Sequence, residues 1–254
     1  MMKLSINSNS TFQVDLGDPL DISIPIRSGD QNPNCYFSAP PSFTPIKSER
    51  FIGSVRKGGT CNHQQLRLSP HGNGTHTECY GHLSPNPKIT INKCLKQFHF
   101  IASLISVSPE KTENGDLIVK WEQIEPKLDN SAKALIIRTL PNSPGKTSMN
   151  YSGTNPPYLE SKVALGAITK GISHLLVDLP SVDKEQDNGS LLVHRDFWNY
   201  PQSPRESSTI TELIYVPESI PDGIYLLNLQ ITSLELDASP SKPVLYRLIS
   251  RNVK

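Results

Sequence analysis

The sequence predicts a mixed α/β fold, in a single domain, with more strand than helix. Three observations carry that expectation. Apolar runs of strand length recur along the chain, and the last three of them crowd into residues 209–249. Only the stretch 158–170 has clear helical spacing, with Leu159, Val163 and Ala167 four residues apart and Gly171 as its stop. The 254 residues show no internal repeat, low-complexity tract or linker, and a chain of that length buries a core without a disulfide or metal staple.

In chain order, residues 1–12 read as a frayed terminus. Residues 13–27 alternate apolar and polar around prolines, which suits short or edge strands. A proline-rich segment, 28–46, is long for a loop in a compact domain and is expected to border a binding site, with Tyr36 and Phe37 walling it. Residues 64–69 read as a strand, and 98–107 as a stronger one. A short helix is expected over 121–128. The run Leu135, Ile136, Ile137 marks a buried strand over 134–140, and 174–179 is another. With the helix between them, these two suggest a right-handed βαβ unit. Strands over 209–216, 224–231 and 244–249 complete the chain.

The charge balance of 25 basic and 24 acidic residues gives no footing for nucleic acid or an anionic membrane surface. Four cysteines (Cys35, Cys61, Cys79, Cys94) form no C-x-x-C pair, which excludes a four-thiolate zinc ribbon and argues against a disulfide scaffold. The first residues are too polar for a signal peptide, and no long apolar run follows, so a soluble, cytoplasmic protein is the expectation. No Gly-x-Ser-x-Gly, Gly-x-Gly-x-x-Gly or His-Glu-x-x-His motif is present. Gly145-Lys146-Thr147 lacks the first glycine of a phosphate loop, since Leu140 stands in its place.

The chemistry concentrates in Pro70-His71-Gly72-Asn73-Gly74-Thr75-His76-Thr77-Glu78-Cys79-Tyr80-Gly81-His82. It holds three of the seven histidines, a carboxylate and three glycines. Imidazole and carboxylate suit zinc, manganese or iron, and imidazole titrates where general bases work. If 76–78 is extended, His76 and Glu78 project to one side, and turns near Gly74 and Gly81 bring His71 and His82 toward them. The plain alternative is a surface loop that happens to hold histidines.

Gly74-Thr75-His76-x-Glu78-x-x-x-His82 resembles the signature His-x-Gly-Thr-His-x-Asp-x-Pro-x-His of the cyclase-like metal-dependent hydrolases, a family that includes kynurenine formamidase and isatin hydrolase. The likeness runs on through 98–102, 134–139, Pro157-Tyr158-Leu159, 176–183, His194-Arg195 and Thr211-Glu212-Leu213, nearly the whole chain. It implies a mixed, barrel-like β core of the swivelling β/β/α type with peripheral helices. It also implies a divalent metal, zinc or manganese, as one or two ions. His76 and Glu78 would be ligands, Glu78 able to bridge; His194 and Glu212 would hold a second ion; His71 would be the first motif histidine; His82 would serve as general base and acid. A homodimer is plausible by the same likeness.

Two departures stand out. His71 lies one residue before the family's first histidine position, which is Gly72 here. Glu78 replaces an aspartate and Tyr80 a proline, and a longer carboxylate shifts its oxygens by more than the ~0.2 Å a metal–ligand bond tolerates unless the backbone compensates. Outside the motif, His194 taken alone reads as a satisfied core or surface histidine rather than as a ligand. Glu212, in an apolar strand, needs a buried partner, and a metal is one. Asp178 reads as a turn or capping group as readily as a functional one, and Asp183 as a structural turn residue. Cys79 reads as a small buried hydrophobe. His174 is expected at the surface where its strand begins.

The function expected is therefore metal-dependent hydrolysis of an amide, cyclic imide or lactone in a small-molecule substrate, arylformamidase-like, with water activated at the metal and His82 moving the proton. The alternative is a non-catalytic protein of the same fold that binds a small molecule with one metal or none.

Overall fold

The computed structural model of the chain describes residues 2–7 and 10–250. Strand β1 (Met2–Asn7) pairs antiparallel with β2 (Ser10–Val14), so most of the stretch expected as a frayed terminus is a hairpin. Residues 1, 8 and 9 lie outside the described residues. The alternation of Met2, Leu4 and Ile6 with Lys3, Ser5 and Asn7 is present, but its polar half masks it. Within 28–46 there is a strand, β3 (Ser42–Pro45), which pairs with β4 (Gln64–Arg67). β4 delivers the chain to a one-turn helix, α1 (Pro70–Asn73), and then to the three-residue strand β5 (His76–Glu78).

The long strands follow as expected: β6 (His99–Val107) and β7 (Ala134–Thr139). Between them, 121–128 is two 3-10 turns, Trp121–Gln123 and Glu125–Lys127, in place of one helix. Pro126 has no N–H and disfavours helical geometry in the residue before it. The best helix, α2 (Ser161–Thr169), is shorter than its spacing suggested. Pro156 and Pro157 hold the chain extended, and Tyr158–Leu159 pairs parallel with residues 118–119 instead. Then come β8 (His174–Val177), α3 (Leu192–Trp198), β9 (Thr209–Glu212), β10 (Gly223–Ile231) and β11 (Ala238–Ser250).

The main sheet closes on itself. β11, β10, β6, β7, β8, β9 and β5 form a seven-stranded ring. β6, β7, β8 and β9 run parallel, and the remaining pairings are antiparallel. The smallest strand shuts the ring: β5 pairs with β9 on one side (Glu212 opposite His76) and with β11 on the other (Ala238 opposite Glu78). Closure leaves this ring without an open edge.

Two apolar layers follow from the strand period of two. Ala102 and Leu104 of β6, Ala134 and Ile136 of β7, and Leu176 of β8 pack with Leu227 and Leu245 inside the barrel. Their neighbours Ile105, Leu135, Ile137, Leu175 and Val177 face outward and are covered by Val163 and Ala167 of α2 and Phe197 and Trp198 of α3. Burial of side chains of this size is worth about 2–3 kcal/mol each. The helices thus coat one side of the barrel wall, and α3 lies near β5.

His174 corrects an expectation. Although it opens β8, its strand is central, flanked by β7 and β9, and the residue is 4% exposed. Its ring lies 3.9 Å from that of Phe100, and its Nδ1 is 2.8 Å from Thr209 Oγ1. Burial, helped by the positive Arg205, pushes its pKa down to about 3. The unfolded chain protonates this imidazole near 6.5, so between about 6.5 and 3 the unfolded state holds more protons. Stability is then lost as pH falls, by about 1.4 kcal/mol per unit once well inside that window. Denaturant titrations of wild type and His174→Asn at pH 7 and pH 5 check this: the wild type should show the larger loss, and equal losses would contradict it.

Candidate metal centre

The site is built on the outward face of the barrel wall beneath α3. β5 is extended, so His76 and Glu78 share a face, while Thr77 points the other way and meets Thr211 (Oγ1 to Oγ1, 2.8 Å). Glu212, opposite His76 in β9, comes onto the same face, with Oε2 3.4 Å from His76 Nε2. His194, on α3, closes the group from above: its Nε2 is 2.8 Å from Glu78 Oε1 and 3.7 Å from Glu212 Oε1. His71 and His82 come from either side of β5. His71 Nδ1 lies 3.3 Å from Glu78 Oε2, and His82 Nδ1 lies 3.8 Å from the same oxygen. All six residues singled out in the sequence therefore meet at one place.

The displaced His71 reaches the site by a helical turn. It is carried on α1, and its ring sits 5.1 Å from that of His76 and 4.5 Å from that of His82. The next residue is a glycine for a steric reason: a β-carbon on Gly72 would collide with Ser38 Oγ, and the Gly72 carbonyl accepts from Cys35 N–H at 3.1 Å. The proline-rich segment therefore packs against the backbone where the family signature has its histidine.

Each buried imidazole is held by one nitrogen and offers the other. His76 Nδ1–H donates to Gly74 O at 3.0 Å, which leaves Nε2 facing Glu212. His194 Nδ1 sits 2.6 Å from Asp183 Oδ2 and donates there, so its Nε2 faces Glu78. The Asp183 carboxylate also accepts from the Val193 and His194 N–H groups at 2.8 and 3.2 Å, capping the first turn of α3. Asp183, read in the sequence as a structural turn residue, thus does two jobs at once. Its cue was weak, because Asp-Lys-Glu after Pro180-Ser181-Val182 resembles any polar turn.

Asp237 went unread. It directly precedes β11, and one of its oxygens, Oδ2, lies 3.0 Å from His71 Nε2 and 3.1 Å from His82 Nδ1. Nothing in Leu234-Glu235-Leu236-Asp237 marks it, since its role comes from barrel closure across the length of the chain.

The electrostatics are those of a buried, mutually charging cluster of histidines and carboxylates. Burial opposes ionisation of Glu78, yet His82 and His194 hold its carboxyl well below the usual range. Burial likewise opposes a charged His194, but Glu78 and Asp183 raise its pKa well above that of a free imidazole. For His71, burial is outweighed by Asp237 and Glu78, which push its pKa up to about 10. The hydrogen bonds to His71 and His82 keep Asp237 strongly acidic against partial burial. Four carboxylates converge on this place and require positive charge there.

Among the described residues, His76 Nε2 and Glu78 Oε2 are buried with no hydrogen-bond partner. An orphaned imidazole nitrogen and carboxylate oxygen cost about 1–3 kcal/mol each unless something coordinates them. Ligand atoms of His71, His76 and Glu78 lie within 4.8 Å of one another, as do those of Glu78, His82 and His194. Nitrogen and oxygen donors of this kind fit a divalent transition ion. The donor set passes that test.

A cavity of about 260 Å³ opens beside the cluster, lined by Tyr36, His71, His82, Lys184, His194 and Glu212 among others. His82 is 28% exposed. Tyr36 walls this cavity as expected; Phe37 does not, and it is 79% exposed. The other candidates fall away from it. Asp178 is buried and paired with Lys146 (2.8 Å) and the Thr139 N–H (3.0 Å), and Cys79 is a buried free thiol.

A closed mixed barrel bearing a histidine–carboxylate cluster on its wall defines a class, and the comparisons agree with it. The chain belongs to the Cyclase family, whose model matches residues 14–184. Isatin hydrolase A from Labrenzia aggregata superposes with a TM-score of 0.67 at 12% identity, covering 92% of this chain and 94% of that one. Isatin hydrolase A from Ralstonia solanacearum gives 0.67 at 11%, covering 91% and 92%. A structure described as a predicted metal-dependent hydrolase from Bacillus stearothermophilus gives 0.61 at 14%, covering 90% and 98%. At these identities the structures share the fold. No curated protein matches the sequence. Among the described residues no helix is long and apolar enough to cross a membrane.

Proposed function

We propose that the protein is a divalent-metal-dependent hydrolase of a small amide, cyclic imide or lactone, arylformamidase-like in chemistry. The observation that carries this is the pair of orphaned, buried ligand atoms, His76 Nε2 and Glu78 Oε2, beside a cavity that His82 lines. The structural relatives named isatin hydrolase add support through their fold. His71, His76, Glu78, His194 and Glu212 would hold zinc or manganese, as one or two ions, and a cytoplasmic homodimer is the working form we expect.

Bound there, a divalent ion acidifies water and polarises a carbonyl oxygen. The chain's own residues do the rest. His82 takes the proton of the attacking water at the nitrogen turned from Asp237 and returns it to the leaving nitrogen or oxygen. Asp183 keeps His194 in a single tautomer, with Nε2 toward Glu78. Tyr36 walls the cavity, its hydroxyl 3.3 Å from Pro180 O, and Lys184 is anchored on Asp116 at 2.7 Å. A space of about 260 Å³ suits a one- or two-ring substrate.

The test is a panel of aryl formamides, cyclic imides and aryl lactones, presented to protein loaded with zinc or manganese. Turnover of at least one class, abolished by chelator and restored by metal, is expected. Inertness toward all three classes with metal demonstrably bound would favour the non-catalytic binding protein.

A further inference from the structure

We infer that Asp237 is a positioning residue: it fixes which nitrogens of His71 and His82 carry hydrogen and holds both rings toward Glu78. The inference rests on the metal-site reading above and extends it to a residue outside the family motif. A carboxylate accepts only, so His71 Nε2 and His82 Nδ1, 3.0 and 3.1 Å from the same Asp237 Oδ2, are both donors. In the neutral ring that metal binding requires, that leaves His71 Nδ1, on the Glu78 side, as its ligand atom, and it leaves His82 Nε2 as the base atom.

Three features say that the placement is built rather than incidental. The Asp237 backbone is locked to the motif itself, because Cys79 N–H donates to Asp237 O at 3.0 Å and Ala238 pairs with Glu78. His71 needs such a partner: it stands on a one-turn helix and is 25% exposed, whereas His76 and His194 are buried and already tied through Gly74 O and Asp183. Finally, a side chain at position 72 would collide with Ser38, and the histidine stands instead at position 71, from where its outer nitrogen faces Asp237. Asp237 thus supplies for the displaced histidine what Asp183 supplies for His194. Partners of this kind typically matter 10–100-fold in metal affinity.

The experiment compares wild type, Asp237→Ala and Asp237→Asn. Co²⁺ affinity is measured by chelator competition, and imidazole ¹⁵N spectra are recorded on the metal-free proteins. Asp237→Ala is expected to bind Co²⁺ about 10–100-fold more weakly. It should also shift the ¹⁵N signals of His71 and His82 while leaving those of His99 and His174 in place. Asp237→Asn, which keeps an acceptor oxygen, should recover most of the affinity; a merely structural residue would show no such graded rescue. Unchanged affinity and unchanged ¹⁵N signals in Asp237→Ala would overturn the inference. If the wild type takes up no Co²⁺, the functional proposal fails. The ¹⁵N comparison then decides Asp237 alone: shifted signals uphold it as the group that sets both rings, and unshifted signals reject it.

Discussion

His76→Ala and Glu212→Ala are each expected to purify without the metal proposed for the wild-type protein. The two residues are far apart in sequence but directly opposed across β5 and β9, with 3.4 Å between Nε2 and Oε2. Each offers a donor atom on a buried side chain. Elemental analysis of protein prepared without chelator checks the expectation. One or two equivalents of zinc or manganese in the wild type, falling at least about tenfold in both variants, would place the residues in one centre. Removing Glu212 also frees the Val182 N–H, whose acceptor at 2.9 Å is Glu212 Oε1. That adds about 1–3 kcal/mol of destabilisation to the loss of metal. Glu212→Ala should therefore melt below His76→Ala. Wild-type metal content in both variants would remove the mechanism.

His82→Ala is expected to do the opposite: to retain metal and lose turnover by about 10²–10⁴-fold. The difference comes from position. His82 is the most exposed imidazole of the cluster at 28%, lines the cavity, and its Nδ1 stands 3.8 Å from Glu78 Oε2, farther than His71 or His194 from the same carboxylate. Its loss removes a proton carrier and leaves the buried donors of His76, Glu78, His194 and Glu212 in place. Metal content and kcat measured on one preparation separate the cases. Retained turnover would refute the role of His82, and lost metal would make it a ligand.

What could be read without coordinates depended on how local the physics is. The strands β6, β7 and β8 are visible because each is an apolar run bounded by polar residues, and the barrel buries such runs on both faces. The cluster around His76 is visible because ligands sit close in sequence. Glu212 carries a local mark, a carboxylate in an apolar strand, whereas His194 joins the cluster only on the strength of a family resemblance. His174 was misjudged because a polar residue at a strand's first position normally faces water; here the two flanking strands bury it. Asp237 and the second role of Asp183 were out of reach because both arise from contacts across the fold, to His71 and His82 in one case and to α3 in the other.

The closing of the ring by β5 and β11 has a consequence for how the protein comes into being. Glu78 is paired with Ala238, so its strand has no second neighbour until some 160 further residues have been made. A ribosome-bound chain long enough to contain the entire histidine motif still lacks the β-strand that clasps it and the aspartate that orients two of its rings. The centre is accordingly among the last features to mature, late in a fold dominated by distant pairings, which form slowly. A truncation removing β11 would abolish the site while leaving every residue of the motif intact.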